Sequence, residues 1–80
     1  MTQPSQALIA FFEFIQTTPS VQWNINHGLG SKPMIEINAF DDNNVLQKAF
    51  PESVIQVDDN NVQVNWTSAR RGFASLISNP

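Results

Sequence analysis

Eighty residues leave room for one domain, and a domain of this size buries only about 60% of the surface its unfolded chain exposes. Natural domains this small lean on disulfides, metals or partner subunits, and a chain with no cysteine and one histidine has almost nothing but the third. A net charge of −3, with Lys32, Lys48, Arg70 and Arg71 as the cations, argues against a nucleic-acid partner, and no apolar run reaches the ~18 residues of a membrane span.

Residues 1–9 read as an extended arm, because Pro4 and a Thr, Gln and Ser composition oppose a helix. A helix over 5–14 capped by Ser5 is the rival, but Phe11, Phe12, Phe14 and Ile15 crowd together in a way that suits a strand. The apolar run from Ala7 to Phe12 lacks a basic flank and meets Glu13, so a signal peptide is not expected. A first strand is predicted over 10–17, ended by Thr18-Pro19-Ser20. It is apolar on both faces, Phe12 and Phe14 on one and Phe11 and Ile15 on the other.

A second strand, 21–26, alternates Val21, Trp23 and Ile25 against Gln22, Asn24 and Asn26, the period of a half-buried strand. Trp23 is its largest apolar body and the expected centre of the core. Gly28 and Gly30 then offer positive φ, and Pro33 opens a third strand with Ile35, Ile37 and Ala39 on one face and Met34, Glu36 and Asn38 on the other. Asp41-Asp42-Asn43-Asn44 leads to a short strand over 45–50, Pro51 breaks it, and 54–57 resumes. The same tetrad at Asp58-Asp59-Asn60-Asn61 precedes 62–66, whose Val62, Val64 and Trp66 share a face. A turn is predicted at 67–71 and a closing strand at 72–78, where Phe73 and Ile77 oppose Ala74 and Leu76, so that one pair is exposed or covered by another subunit. Turn signals at this spacing imply an all-β fold: a small antiparallel β-sandwich of six to seven strands over residues 10–80, with the arm before it.

No stretch carries catalytic chemistry. The Asp tetrads lack the staggered ligands and the glycine of a calcium loop, and turn formation explains them. His27 has no second histidine or cysteine for a metal, and nothing positions Ser31 as its nucleophile, so it is expected to bond across the glycine turn. Residues 28–32 lack the spacing and following helix of a phosphate loop. Trp23 and Trp66 lie in register with Val and Ile, which predicts core instead of a sugar-stacking platform. No catalytic, cofactor or metal site is therefore expected. Both terminal strands are apolar on two faces and lack the lysines that blunt an edge, which predicts a homo-oligomer with Phe11, Phe12, Phe14, Ile15, Phe73 and Ile77 as interface candidates.

Gln16, Trp23, Ile25, His27, Leu29, Gly30 and Pro33 together resemble a short β-sandwich module of tailed-bacteriophage virion proteins, in which an aromatic strand enters a His-x-Leu-Gly turn and a Pro-led strand. The likeness continues through Asp59 to Trp66 and through Gly72 and Leu76. It spans about residues 11–78, with its specific part at 16–33, and Gly28 departs from the Asn usual before the Leu. The resemblance implies a structural core and turn of Trp23, Ile25, His27, Leu29, Gly30, Pro33 and Trp66. It also implies a non-enzymatic virion protein of the tail, fibre or baseplate, with a head decoration or collar protein, or a carbohydrate- or receptor-binding module, as alternatives. Its implied partners are itself, with a trimer as first expectation, other virion proteins and, in the last alternative, a host-surface glycan.

Overall fold

The computed structural model describes residues 10–30 and 32–78, so the arm expected over 1–9 lies outside the described residues. Five strands follow in order: β1 (Ala10–Asn26), β2 (Met34–Phe40), β3 (Leu46–Lys48), β4 (Ser53–Asp58) and β5 (Asn61–Ser78). Every pairing is antiparallel. β5 is the central strand: β1 runs along one edge, while β2, carrying β3, and β4 share the other. The first half of β5 pairs with Gln22–Asn26 of β1 and with β4, and its second half pairs with Ala10–Gln16 and with β2.

The seven predicted segments are present, but two of the expected breaks are not. Thr18-Pro19-Ser20 stays within β1. Proline lacks an N–H, and an edge strand at an irregularity of register is where that loss is tolerated. Residues 67–71 stay within β5, where Arg70 still pairs with Ser20 across the irregular stretch and the chain runs on to Ser78. Both tetrads do close hairpins: Asp41 and Asp58 each accept the backbone N–H two residues on, at 2.9 and 2.8 Å.

Between the paired residues Gln16↔Gly72 and Gln22↔Asn65, β1 takes six steps and β5 seven. The inward parity of β5 is constant (Val62, Val64, Trp66, then Ala74 and Leu76), so that of β1 must switch, from Phe12 and Phe14 to Trp23 and Ile25. Val21, expected to share the face of Trp23, precedes the restored register and is exposed.

The mismatch folds the sheet over one core. Trp23, from one half, stacks on Phe14 of the other half and on Trp66, with ring centroids 6.0 and 5.1 Å away. Its indole N–H donates to the Arg70 carbonyl at 3.0 Å, in the stretch where β5 loses regular partners. Ile25, Ile37, Ala39, Val62, Val64, Ala74 and Leu76 complete the buried cluster, giving a small antiparallel β-sandwich.

Gly72 sits where β5 passes close against the backbone of β2. A Cβ there would collide with the Asn38 carbonyl and lie 2.7 Å from the Ala39 Cα, whereas one on Gly30 meets open space at φ +75°. Gly72→Ala is therefore expected to cost about 2–3 kcal/mol by forcing backbone apart, and Gly30→Ala about 1 kcal/mol of dihedral strain. Urea midpoints at constant m-value measure both, and a Gly72→Ala chain as stable as Gly30→Ala would refute the close approach of β2 to β5.

Candidate assembly face

The two halves of the sheet share one core but present different outer faces. Over the first half of β5, the outward residues are Gln22, Asn24 and Asn26 of β1, Asn61, Gln63 and Asn65 of β5, and Ser53 and the exposed Ile55 of β4. Their amides bond one another: Gln22 Nε2 donates to Asn65 Oδ1 at 3.2 Å, and Asn65 Nδ2 donates to Ser53 Oγ and Gln63 Oε1 at 3.1 and 3.2 Å. Apart from Ile55 at its β4 side, this face is polar, and its amides are cross-linked to one another.

Over the second half, the same parity points apolar groups outward. Cross-strand register arranges them in four rows. Row one is Phe11, Ile77 and Met34. Row two is Glu13, Ser75 and Glu36. Row three is Ile15, Phe73, Asn38 and Lys48. Row four is Arg71, Phe40 and Leu46, with the Arg71 guanidinium 3.7 Å above the Phe40 ring and donating to Asn44 Oδ1. Met34 is 80% exposed, Ile15 64% and Phe11 58%. This part of the sheet is apolar on both sides, the pattern of a sheet covered on both sides. One hollow of about 330 Å³ marks the face, between Ile15, Phe40, Leu46 and Phe73, and another of about 500 Å³ runs from Met34 and Glu36 past the edge of β2 to Ile35, Pro51 and Val54.

Of the six interface candidates, Phe11, Ile15, Phe73 and Ile77 fall together here. Phe12 and Phe14 do not; even parity turns them inward against the core. Met34, Phe40 and Leu46 join the face only through the pairing of β2 with β5 and β3. The alternation of 34–39 had placed Met34 opposite Ile35, which was the available signal.

Trp23, Ile25 and Trp66 are core residues, Pro33 is buried, and Leu29 packs on the core. His27 is buried at the end of β1, where its Nδ1 accepts the Leu29 N–H at 3.0 Å, leaving the proton to Nε2, which is buried without a partner among the described residues. The turn it begins is clamped to the β4–β5 hairpin by Asn60. That residue's carbonyl accepts the N–H groups of His27 and Gly28, and its Oδ1 accepts that of Gly30 at 2.9 Å. Asn60 was legible only as turn chemistry. The Asn60 N–H, and then the Asn61 side-chain amide, hold the Asp58 carboxyl below the usual carboxylate range. Among the described residues no three His, Cys, Asp or Glu side chains gather as metal ligands, and no helix is long and apolar enough to cross a membrane.

In comparisons with known proteins, no family model, no curated protein and no solved structure matches this chain.

Two outcomes are expected at the turn cluster. A carboxyl held low contributes stability above its unfolded value of about 3.9 and loses it as pH falls through the lower folded value. The stability difference between the native chain and Asp58→Asn is therefore expected to hold near neutrality and shrink below about pH 4. A difference constant down to pH 2 in acid titrations followed by circular dichroism would contradict the hydrogen-bonded carboxylate. Long-range ¹H–¹⁵N spectra at neutral pH are expected to show His27 protonated on Nε2, and the Nδ1–H tautomer would break the bond assigned to Leu29.

Proposed function

We propose that this chain is a non-enzymatic structural subunit that works by associating with further copies of itself. Following the resemblance of residues 16–33, we place it in the virion of a tailed bacteriophage, in the tail, fibre or baseplate region. The observation that carries the self-association reading is the outer face of the β1–β5–β2–β3 sheet, with Phe11, Ile15, Met34, Leu46 and Ile77 all exposed on it. A chain of 80 residues has a small core to begin with, and leaving this face in water forfeits apolar burial that association recovers. The other outer face carries amides at all six of its β1 and β5 positions, with Ile55 of β4 beside them, so the fold does not demand apolar residues on its central strand. The His27 turn and the two Asp turns are accounted for by hydrogen bonds that hold the chain in place, so they support a scaffold role.

A second reading, a carbohydrate-binding module, finds its support in the amide face, where Asn24 and Asn26 present donors and acceptors to solvent. The aromatic pair that would stack on a sugar, Trp23 and Trp66, faces inward, which favours the first reading.

Size-exclusion chromatography with light scattering tests the proposal. The native chain is expected to be oligomeric at micromolar concentration. Phe11→Ser with Ile77→Ser, both on the exposed face, is expected to give a monomer with an unchanged far-UV spectrum. A native chain that stays monomeric would overturn the self-association reading. Oligomers that survive the double substitution would move the interface off this face.

A further inference from the structure

If copies of this chain associate through the apolar face, as proposed above, the charges on that face discriminate between the ways they can meet. Row two carries Glu13 and Glu36 either side of Ser75, row three ends on Lys48, and the Arg71 of row four is already engaged by Phe40 and Asn44. Among the described residues, Glu13, Glu36 and Lys48 have no ion-pair partner within the chain.

Two identical sheet faces can pack about a two-fold axis lying in their common plane. An axis along the strands sets every row over itself, so the carboxylates of row two converge with those of the other copy inside an apolar contact, where like charges are costly. An axis across the strands, between rows two and three, sets row two over row three and row one over row four. The carboxylate rows then part. Glu36 of each copy lies one strand spacing, about 4.8 Å, to the side of Lys48 of the other, within reach of both side chains. Met34, the most protruding of the apolar residues in the four rows, is set over Phe40 and Leu46 of the other copy, which line the hollow of about 330 Å³. This axis also covers all four rows. Strand and residue spacings make the part where three strands run through all four rows roughly 14 by 27 Å, about 380 Å² in plan, and side-chain relief together with Leu46 and Lys48 of β3 adds to that, against the ~800 Å² per partner of a standard interface.

The geometry points to a second copy of this chain as the occupant of the face, packed about a two-fold axis that crosses the strands and paired twice through Glu36 and Lys48. Larger assemblies, a ring or a fibre, are then built from such pairs.

Sedimentation velocity on charge-reversed chains tests the axis. Glu36→Lys and Lys48→Glu each leave two like-charged contacts across the pair, and each alone is expected to weaken association at least about tenfold. Mixing the two variants is expected to restore it, because each then offers the charge that the other lacks at both contacts. A bond within one chain cannot produce that rescue. Melting temperatures of the separate variants show that both fold. If the native chain associates and the mixture remains as dissociated as its components, the axis is wrong and the self-association reading stands. If the native chain does not associate at all, both fall.

Discussion

The Trp23 side chain joins the two halves of this molecule. It rests on Phe14 on one side and on Trp66 on the other, and its N–H reaches the Arg70 carbonyl. That carbonyl belongs to Arg70, which pairs with Ser20 alone between two shifts of register, where a buried backbone acceptor left unpaired costs about 1–3 kcal/mol. One side chain therefore supplies apolar bulk to the centre of the core and a donor to the weak point of the central strand. An aliphatic residue of similar volume could supply only the first.

The bend that Trp23 fills comes from a mismatch of one residue between β1 and β5. Its consequence reaches beyond the core. Because β1 switches parity while β5 does not, Phe11, Glu13 and Ile15 stand beside Phe73, Ser75 and Ile77 on one outer face, while Gln22, Asn24 and Asn26 stand beside Asn61, Gln63 and Asn65 on the other. Along β1 and β5 one sheet thus acquires a largely apolar exterior over half its length and an amide exterior over the rest, with Ile55 of β4 the apolar exception. Partition of this kind separates a surface suited to association from one suited to water.

Most of the strands were legible in the sequence because alternation is a local signal. Val62, Val64 and Trp66, or Ile35, Ile37 and Ala39, sort themselves without knowledge of any partner. The joins were not legible. Pro19 looks like a terminator, yet on an edge strand at an irregular register it removes a donor that no neighbour requires. Val21 alternates in phase with Trp23 and still faces out, since the register that orients Trp23 is restored one residue later. The double-faced character of 10–17 and 72–78 could be read, but which residues of β2 and β3 complete that face depends on pairing across turns. Asn60 was masked for a related reason. Its tetrad explains its place in the hairpin, while its bonds to His27, Gly28 and Gly30 belong to a loop 30 residues away.

The position of β5 in chain order also constrains how the molecule comes to exist. Ala10 pairs with Ser78, and β1, β2 and β4 all hydrogen-bond to β5 while making few bonds to one another. During synthesis β1, β2 and β4 emerge before the central strand, and among them only β2 has a partner, β3, to pair with. Phe11, Phe12 and Phe14 wait in an unpaired strand until the central one arrives. Contacts of such large sequence separation make folding slow, and exposed apolar strands are prone to pair with the wrong chain in the interval. The half built on residues 61–66 can form with Gln22–Asn26 and β4 as soon as those residues appear, whereas Ala10–Gln16 and β2 wait for residues 72–78, so the apolar half of the sheet is the last to close.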